Sequence, residues 1–448
     1  MLKFAERRLQ QAGLDEHTTE VVLKSVPSLA LKVLGFGGTF VFNVLLARYM
    51  GAKGVGIVAI GIQIYTFAQI FARLGTNSIV MKRVAAGLAT ENPLMAEQAM
   101  SAGLRWTLLG SAITAGIVVL LATPLAHRVY AEPDLRGLLW LFALALTPFS
   151  LFVTINHGVK ALRRTWQATG LNEAFRSTVR ISGLLILVAI GLPITPISVG
   201  WIFVVAAVAA LGVNLSYWLH QPEGFALKLS ASSGDRQVLR ESLPLVLVSS
   251  MFLLISSTDT IMLGWLVSAE EAGVYYISAR VALLTSFVIH VVNSIVAPKF
   301  SQLYARNELA QLQRMGKSVT LLLSASAVPI LLVFLAFPAQ ILSLFGSEFA
   351  DGAATLRVLA LGQFVNLSFG SVGYLLIMSG NERIMRDITI GGALVNIVAN
   401  YFLIVQLGAF GAALASAGTL LTMRLAIYIA VRKRLGFWLL GSMPLRDP

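Results

Sequence analysis

Apolar runs of roughly 20 residues, the length an α-helix needs to cross the hydrocarbon core of a bilayer, recur twelve times along this chain. They lie near 26–47, 55–78, 101–123, 137–158, 174–191, 197–219, 243–266, 273–297, 318–338, 353–378, 386–406 and 410–431. The pattern predicts an all-α membrane protein with twelve transmembrane helices joined by short connections. The longest connection carries Pro222, Gly224, Ser232, Ser233 and Gly234 and reads as a linker. The expected organisation is a cytoplasmic N-terminal segment (1–24), a six-helix half (25–219), a cytoplasmic linker (220–241), a second six-helix half (242–435) and a cytoplasmic tail (436–448). Met1 to Glu20 has no apolar core and no small-residue cleavage site, so it is read as retained. It is either a surface helix using Leu2, Leu9 and Leu14 or a frayed tail.

Composition agrees: 57% of residues are hydrophobic and 12% charged, where soluble domains carry about 25% charged residues. The absence of cysteine excludes a disulfide framework, a Cys-ligated metal and a thiol nucleophile. The net charge of +13 is a topology signal. With the N-terminus inside, cytoplasmic segments hold 23 of the 34 lysines and arginines and outside loops 5, a bias that puts both termini in the cytoplasm. Charges in membrane-proximal loops do not make a nucleic-acid footprint, and no nucleic-acid partner is expected.

An internal repeat appears at an offset of 217. Ala52 falls on Ala269, Gly56 on Gly273, Ile60 on Ile277 and Lys82 on Lys299. Two six-helix halves entering from the same side form a parallel repeat, and a substrate site is expected between them near the midplane.

The segments LLARYMGAKGVGIVAIG, STDTIMLGWLVSAEEAGVYYISAR and LVNIVANYFLIVQLGAFGAALASAG resemble the polysaccharide (O-antigen type) flippase branch of the multidrug, oligosaccharidyl-lipid and polysaccharide exporter superfamily. The resemblance runs from about Ser25 to Leu435, with Val405-Gln406-Leu407-Gly408 standing where the pattern carries a proline. It implies a V-shaped alternating-access transporter. It also implies a function: moving a polyprenyl-diphosphate-linked oligosaccharide from the cytoplasmic to the outer leaflet of a bacterial cytoplasmic (inner) membrane, for cell-surface polysaccharide biosynthesis. The implied partners are that substrate, membrane lipids and a polysaccharide polymerase or co-polymerase.

Six basic residues (Lys32, Arg73, Arg105, Arg180, Arg280 and Arg424) fall inside or at the edge of apolar runs, against one clearly intramembrane carboxylate, Asp259. Charges at that depth are costly and usually face a wet or liganded interior, so a cationic lining points to an anionic substrate. Lys32, Phe36, Thr39 and Asn43 share one helical face, as do Thr66, Gln69, Arg73 and Thr76, with Gln63 and Asn77 beside them. The second half offers Ser249, Phe252, Ser256 and Asp259, then Arg280, Phe287 and Ser294 with His290 and Asn293 nearby. At 1.5 Å per residue, Lys32, Arg73 and Arg424 lie ~5–10 Å to the cytoplasmic side of their span centres, and Asp259 and Arg280 ~6–8 Å to the outer side. The expected diphosphate site is therefore Lys32, Arg73 and Arg424, with Arg280 contributing from the outer side; an arginine fork suits phosphate oxygens. The alternative for these side chains is snorkelling or structural pairing. Arg105 and Arg180, close to cytoplasmic span ends, read as snorkelling.

Asp259 and Arg280 read as a buried ion pair, as an outer gate, or with Asp259 as a proton or sodium coupling site. His290, the lone intramembrane histidine of this reading, is either satisfied by a neighbour or a coupling residue. Gly35, Gly37, Gly38, Pro148 and Pro329 serve bending or close packing. Tyr65, Phe67 and Phe71 either stack on sugars or join the aromatic belt, which is the reading for Tyr275 and Tyr276. No phosphate-binding GxxxxGK[ST] loop, HExxH motif or paired-carboxylate site appears, so neither enzymatic chemistry nor a resident cofactor is expected. Two rivals remain: a cation-coupled drug exporter of the same superfamily, and a membrane glycosyltransferase or polymerase of the polysaccharide pathway.

Overall fold

The structure, a computed structural model, describes residues 16–221 and 235–439. The N-terminal surface helix, most of the linker and most of the tail expected from the sequence lie outside that range, as do the side chains of Ser249, Phe252, Phe287, His290 and Ser294. The described chain is helical almost throughout: α1 (Glu16–Arg73), α2 (Thr76–Ala89), α3 (Pro93–Pro124), α4 (Asp134–Ala161), α5 (Arg176–Ala189), α6 (Pro196–Leu219), α7 (Asp235–Leu266), α8 (Ala269–Ala282), α9 (Phe287–Ala305), α10 (Leu309–Ala336), α11 (Ala353–Ser368), α12 (Val372–Met378) and α13 (Glu382–Leu435). Among the described residues six helices are long and apolar enough to cross a membrane, or seven if the bent pair 347–368 and 372–378 is one span. Two of the six, α1 and α13, are folded into two arms at Gly51 and Gly408, where φ is +66° and +57°. The elements are consistent with twelve spans. Their surfaces are apolar to a degree water does not tolerate, with Leu120 77% and Leu321 71% exposed, as lipid-facing helices require.

Helix ends follow local chemistry. Asn92 caps α3 by accepting from the Met95 N–H at 3.0 Å, with Pro93 in the first turn. Thr195 and Ser198 form a reciprocal capping box at α6. Two breaks depart from expectation. The second span ends at Arg73, because Leu74 and Gly75 adopt positive φ; Thr76 and Asn77 therefore belong to α2 and not to the Arg73 stripe. The eighth span divides at Leu283–Ser286 into α8 and α9.

The chain forms two compact units. One holds the described residues up to Met50 with Gly61–Ser250; the other holds Gly51–Ile60 and the described residues from Met251. In the first, α4 is the central helix, packed by α2, α3 and α6. Val80, Val84, Met100, Ile155, Val159 and Trp218 make a core there. The start of α7 is tied onto it: Arg105 forms a half-buried ion pair with Asp235, and Trp106 Nε1–H donates to the Asp235 carbonyl at 3.0 Å. Arg105 is thus paired rather than snorkelling. In the second, α11 packs on α10 and α13, over a core of Phe300, Leu312, Leu323, Leu367, Leu376 and Ile427.

Candidate functional site: a cationic cluster over aromatic rings

Tyr65, on the second arm of α1, is buried against three rings: Phe142 and Phe149 of α4, at 5.0 and 6.1 Å, and Phe203 of α6, at 6.3 Å. Three arginines gather round this aromatic floor. Arg73, Arg176 and Arg180 all lie within electrostatic reach of Tyr65. The Arg176 guanidinium sits 4.2 Å above the Phe149 ring and donates to Asn172 Oδ1 at 3.2 Å. The Arg180 guanidinium lies 5.3 Å from the Phe203 centroid and 5.8 Å from that of Phe42. Ring faces carry partial negative charge, so they hold guanidinium groups without neutralising them. Arg73 is half-buried and donates to Gln69 Oε1 at 3.3 Å.

The periphery adds charge. Lys160 is within reach of Lys32 and of Glu173, and Glu173 also of Arg176. Two of the expected residues, Arg73 and Gln69, meet directly. Lys32 is exposed; Asn43 and Gln63 are buried in the same unit. Asn77, displaced onto α2, lies 3.3 Å from His157 Nε2, while His157 Nδ1–H donates to the Val153 carbonyl at 2.8 Å. His157 is an intramembrane histidine that the sequence reading passed over in favour of His290.

Arg176 and Lys160 are among the 23 cations that the charge bias counts as cytoplasmic, and Arg180 reads from its depth as snorkelling. Distance from a span end does not tell which face of a helix a side chain leaves from. Spacing does: Arg176 and Arg180 are one turn apart and point the same way. Arg280 and Arg424 belong to the second unit. Arg424 is half-buried, and its guanidinium leaves only 3.5 Å to a Cβ placed on Gly373.

The second unit holds a buried carboxylate. Asp259 is 5% exposed and accepts from Tyr275 Oη at 2.5 Å, Asn400 Nδ2 at 2.6 Å and Ser416 Oγ at 2.6 Å. The expected pair with Arg280 is not formed. Tyr275 is the α8 residue that faces Asp259; Arg280, five residues on, is turned about 140° away and stacks 4.7 Å over Tyr276. Tyr275 is accordingly a buried partner of the carboxylate and not part of a belt. Asn396 adjoins Asp259 closely enough to act on its carboxylate, and neither polar atom of its side chain has another partner among the described residues. Asn400 Oδ1 has no partner among the described residues either. Carboxylate, amide and hydroxyl groups thus share one buried, oxygen-rich pocket. Two asparagines one turn apart in an apolar span were the available signal.

The profile of the family described as "Polysaccharide biosynthesis protein" matches residues 23–304, a stretch that contains Arg73, Arg176, Arg180 and Asp259. The chain belongs to this family. A second profile, MatE, matches residues 244–402. The "Probable low-salt glycan biosynthesis flippase Agl15" of Haloferax volcanii is 22% identical over 401 residues, spanning 89% of this chain and 80% of that protein. Solved structures share the fold at low identity. An inward-facing multidrug resistance MATE family transporter of the MOP superfamily superposes with a TM-score of 0.74 at 14% identity, covering 92% of this chain and 98% of its own. The Lipid II flippase MurJ in an inward closed conformation gives 0.72 at 14%, covering 92% and 87%. A MOP superfamily transporter from Pyrococcus furiosus, described by the reverse polarity of its binding pocket, gives 0.67 at 15%, covering 94% and 96%. This member of the polysaccharide biosynthesis family is therefore a multi-pass membrane protein with the fold of MOP superfamily transporters.

Proposed function

We propose that this protein is a flippase for a polyprenyl-diphosphate-linked oligosaccharide, carrying it from the cytoplasmic to the outer leaflet of a bacterial cytoplasmic membrane with both termini inside. The gathering of Arg73, Arg176 and Arg180 over the Tyr65 aromatic floor carries the reading. A diphosphate offers several oxygens to three planar forks, and charge-assisted bonds in a membrane-embedded site are strong. Lys32 and Lys160 raise the local potential at its edge. Polar aromatic edges and Gln69 suit the first sugars. A cationic drug would instead meet like charge, which ranks the drug-exporter reading below this one.

Asp259, with Asn396, Asn400 and Ser416, is the proposed coupling site for a proton or sodium ion. Oxygen donors from carboxylate, amide and hydroxyl groups fit a hard monovalent cation as well as a proton. Outward movement of a doubly negative head is driven by an inside-negative potential and gains roughly 4.6 kcal/mol per 100 mV, since each charge is worth about 2.3.

The test is flipping in liposomes, with a fluorescent polyprenyl-diphosphate oligosaccharide and timed outer-leaflet access. Wild type flips; Arg176→Ala with Arg73→Ala, folded and correctly inserted, does not. Undiminished flipping by the double variant would reject the cationic site. No flipping by wild type, accompanied by uptake of cationic dyes, would favour drug export.

A further inference from the structure

The face of α5 that carries the two arginines continues beyond them. Arg176, Arg180, Gly183 and Leu187 step by 4, 3 and 4 residues and lie on one stripe. Past Arg180 the stripe turns apolar and opens into a groove of about 490 Å³ between α5 and α6. Val179, Gly183 and Leu187 form one wall, and Trp201, Ile202 and Val205 the other. Gly183 makes the close approach that forms its floor: a Cβ there would stand 3.2 Å from Ile202. Trp201 is 52% and Val205 56% exposed, so the groove is open along one side. Its volume is that of a ligand pocket rather than a packing defect.

We propose that this groove binds the isoprenoid chain of a lipid-linked diphosphate whose head is held by Arg176 and Arg180; it rests on the function proposed above. Charge complementarity along one helix face selects the occupant. Val179 and Gly183 bracket Arg180 in sequence, and Leu187 is seven residues, or ~10 Å, farther along the axis. A ligand on this stripe must be anionic at one end and a continuous hydrocarbon at the other, with both ends inside the span. A bulk phospholipid does not meet that demand, because its phosphate stays at the headgroup level while Arg180 is stacked over Phe42 and Phe203 within the bundle. In lipid, association comes from packing and not from escape from water, so a groove walled by indole and branched side chains favours a methyl-branched chain that fits over a straight one.

Purified wild-type protein in nanodiscs would be exposed to photoreactive farnesyl and long-chain polyprenyl diphosphates, and the labelled peptides mapped. Labels are expected on α5 and α6 between Gly183 and Val205. Leu187→Trp and Val205→Trp fill the groove from its open side; each should remove those labels and weaken long-chain diphosphate binding about tenfold, while competition by inorganic diphosphate is unchanged. Trp201→Ala, which removes a wall without adding bulk, gives the same loss by a second route should a filled variant fold poorly. Equal labelling of the groove by a photoreactive phosphatidic acid would make it an ordinary lipid surface and overturn the proposal. Labels elsewhere, or filled variants that bind like wild type, would overturn it and leave the diphosphate site standing. Failure of wild type to bind any polyprenyl diphosphate would overturn both.

Discussion

Gly56 and Gly273 meet at a helix crossing where neither has room for a methyl group. A Cβ on Gly56 would stand 1.6 Å from the Ala269 carbonyl oxygen, and one on Gly273 2.0 Å from the Ala52 carbonyl oxygen. Ala52 and Gly56, like Ala269 and Gly273, are one turn apart, which is the small-residue face that lets two helix backbones touch. The two pairs are one pair met twice, in the register of the 217-residue repeat. A reciprocal contact of this kind is what a local two-fold relation produces.

Valine at either glycine must therefore push two backbones apart. Gly56→Val and Gly273→Val should each cost about 3 kcal/mol, the upper end for overpacking, with early melting and loss of the monodisperse peak in detergent. Gly391→Ala and Gly418→Ala, with nothing within 4 Å, should shift stability by about 1 kcal/mol or less and upward, because alanine favours helix. Wild-type melting of Gly56→Val would reject the contact.

A second symmetry is made by carboxylates. Each of the two folded helices resumes with an alanine whose N–H finds a glutamate: Ala52 donates to Glu348 Oε1 at 2.9 Å and Ala409 to Glu271 Oε2 at 2.8 Å. Glu271 is three residues past the Ser268 cap of α8, and it serves the second arm of α13 rather than closing its own capping box. Glu348→Ala and Glu271→Ala should each cost about 1 kcal/mol in thermal unfolding, the worth of an N-terminal cap. The glutamine variants keep an acceptor and lose only the charge at the helix N-terminus, so they should cost about 0.3–1 kcal/mol. Equal losses in both series would mean that charge, not acceptance, carries the contact.

The spans and the repeat were legible because each rests on a property of the bare chain: apolar length for the spans, and small residues at fixed spacing for Ala52, Gly56, Ala269 and Gly273. What escaped depended on direction or on distant partners. The break at Leu283–Ser286 carries neither glycine nor proline, so nothing local announced it. Tyr275 reads as an interfacial tyrosine until Asp259, sixteen residues earlier, is folded against it. Depth alone makes Arg180 read as a snorkelling cation, whereas the stripe it shares with Arg176 turns it toward Phe42 and Phe203. Arg73 and Gln69, one turn apart on a shared stripe, do meet, whereas the positive φ of Gly75 breaks the helix and carries Asn77 off that stripe.

Asp259 supplies the sharpest test of coupling. If its pocket takes a monovalent cation or a proton, sodium chloride in place of choline chloride, or acidification, should raise the melting temperature of wild type. Binding at a hundred times Kd stabilises by about 2.7 kcal/mol. Asp259→Asn is nearly isosteric and removes the charge, so it should respond to neither and should flip at a rate independent of the ion gradient. Asn400→Leu removes a donor to Asp259 and should weaken the response without abolishing it. A sodium response retained by Asp259→Asn would move the ion elsewhere.

The start of α7 should respond to pH through Glu241. Arg83 donates to both oxygens of Glu241, from Nε at 3.1 Å and from Nη2 at 2.5 Å, and this holds the carboxyl below the ordinary carboxylate range. A depressed pKa stabilises the fold above the unfolded value, about 4.3 for glutamate, and that stability is lost as pH falls through the lower folded value. The Glu241 side chain is 38% exposed, so screening keeps the contribution to about 0.2–1 kcal/mol at neutral pH. Asp235, 18% exposed and paired with Arg105, is screened less; Asp235→Asn should cost about 1.5–3 kcal/mol, as for a hydrogen bond to a charged group. Melting curves of wild type and Glu241→Gln should therefore differ slightly at neutral pH, less in high salt, and converge in acid. A gap that persists in acid would show that glutamine disturbs packing, and that the ion pair with Arg83 is not what anchors this end of α7.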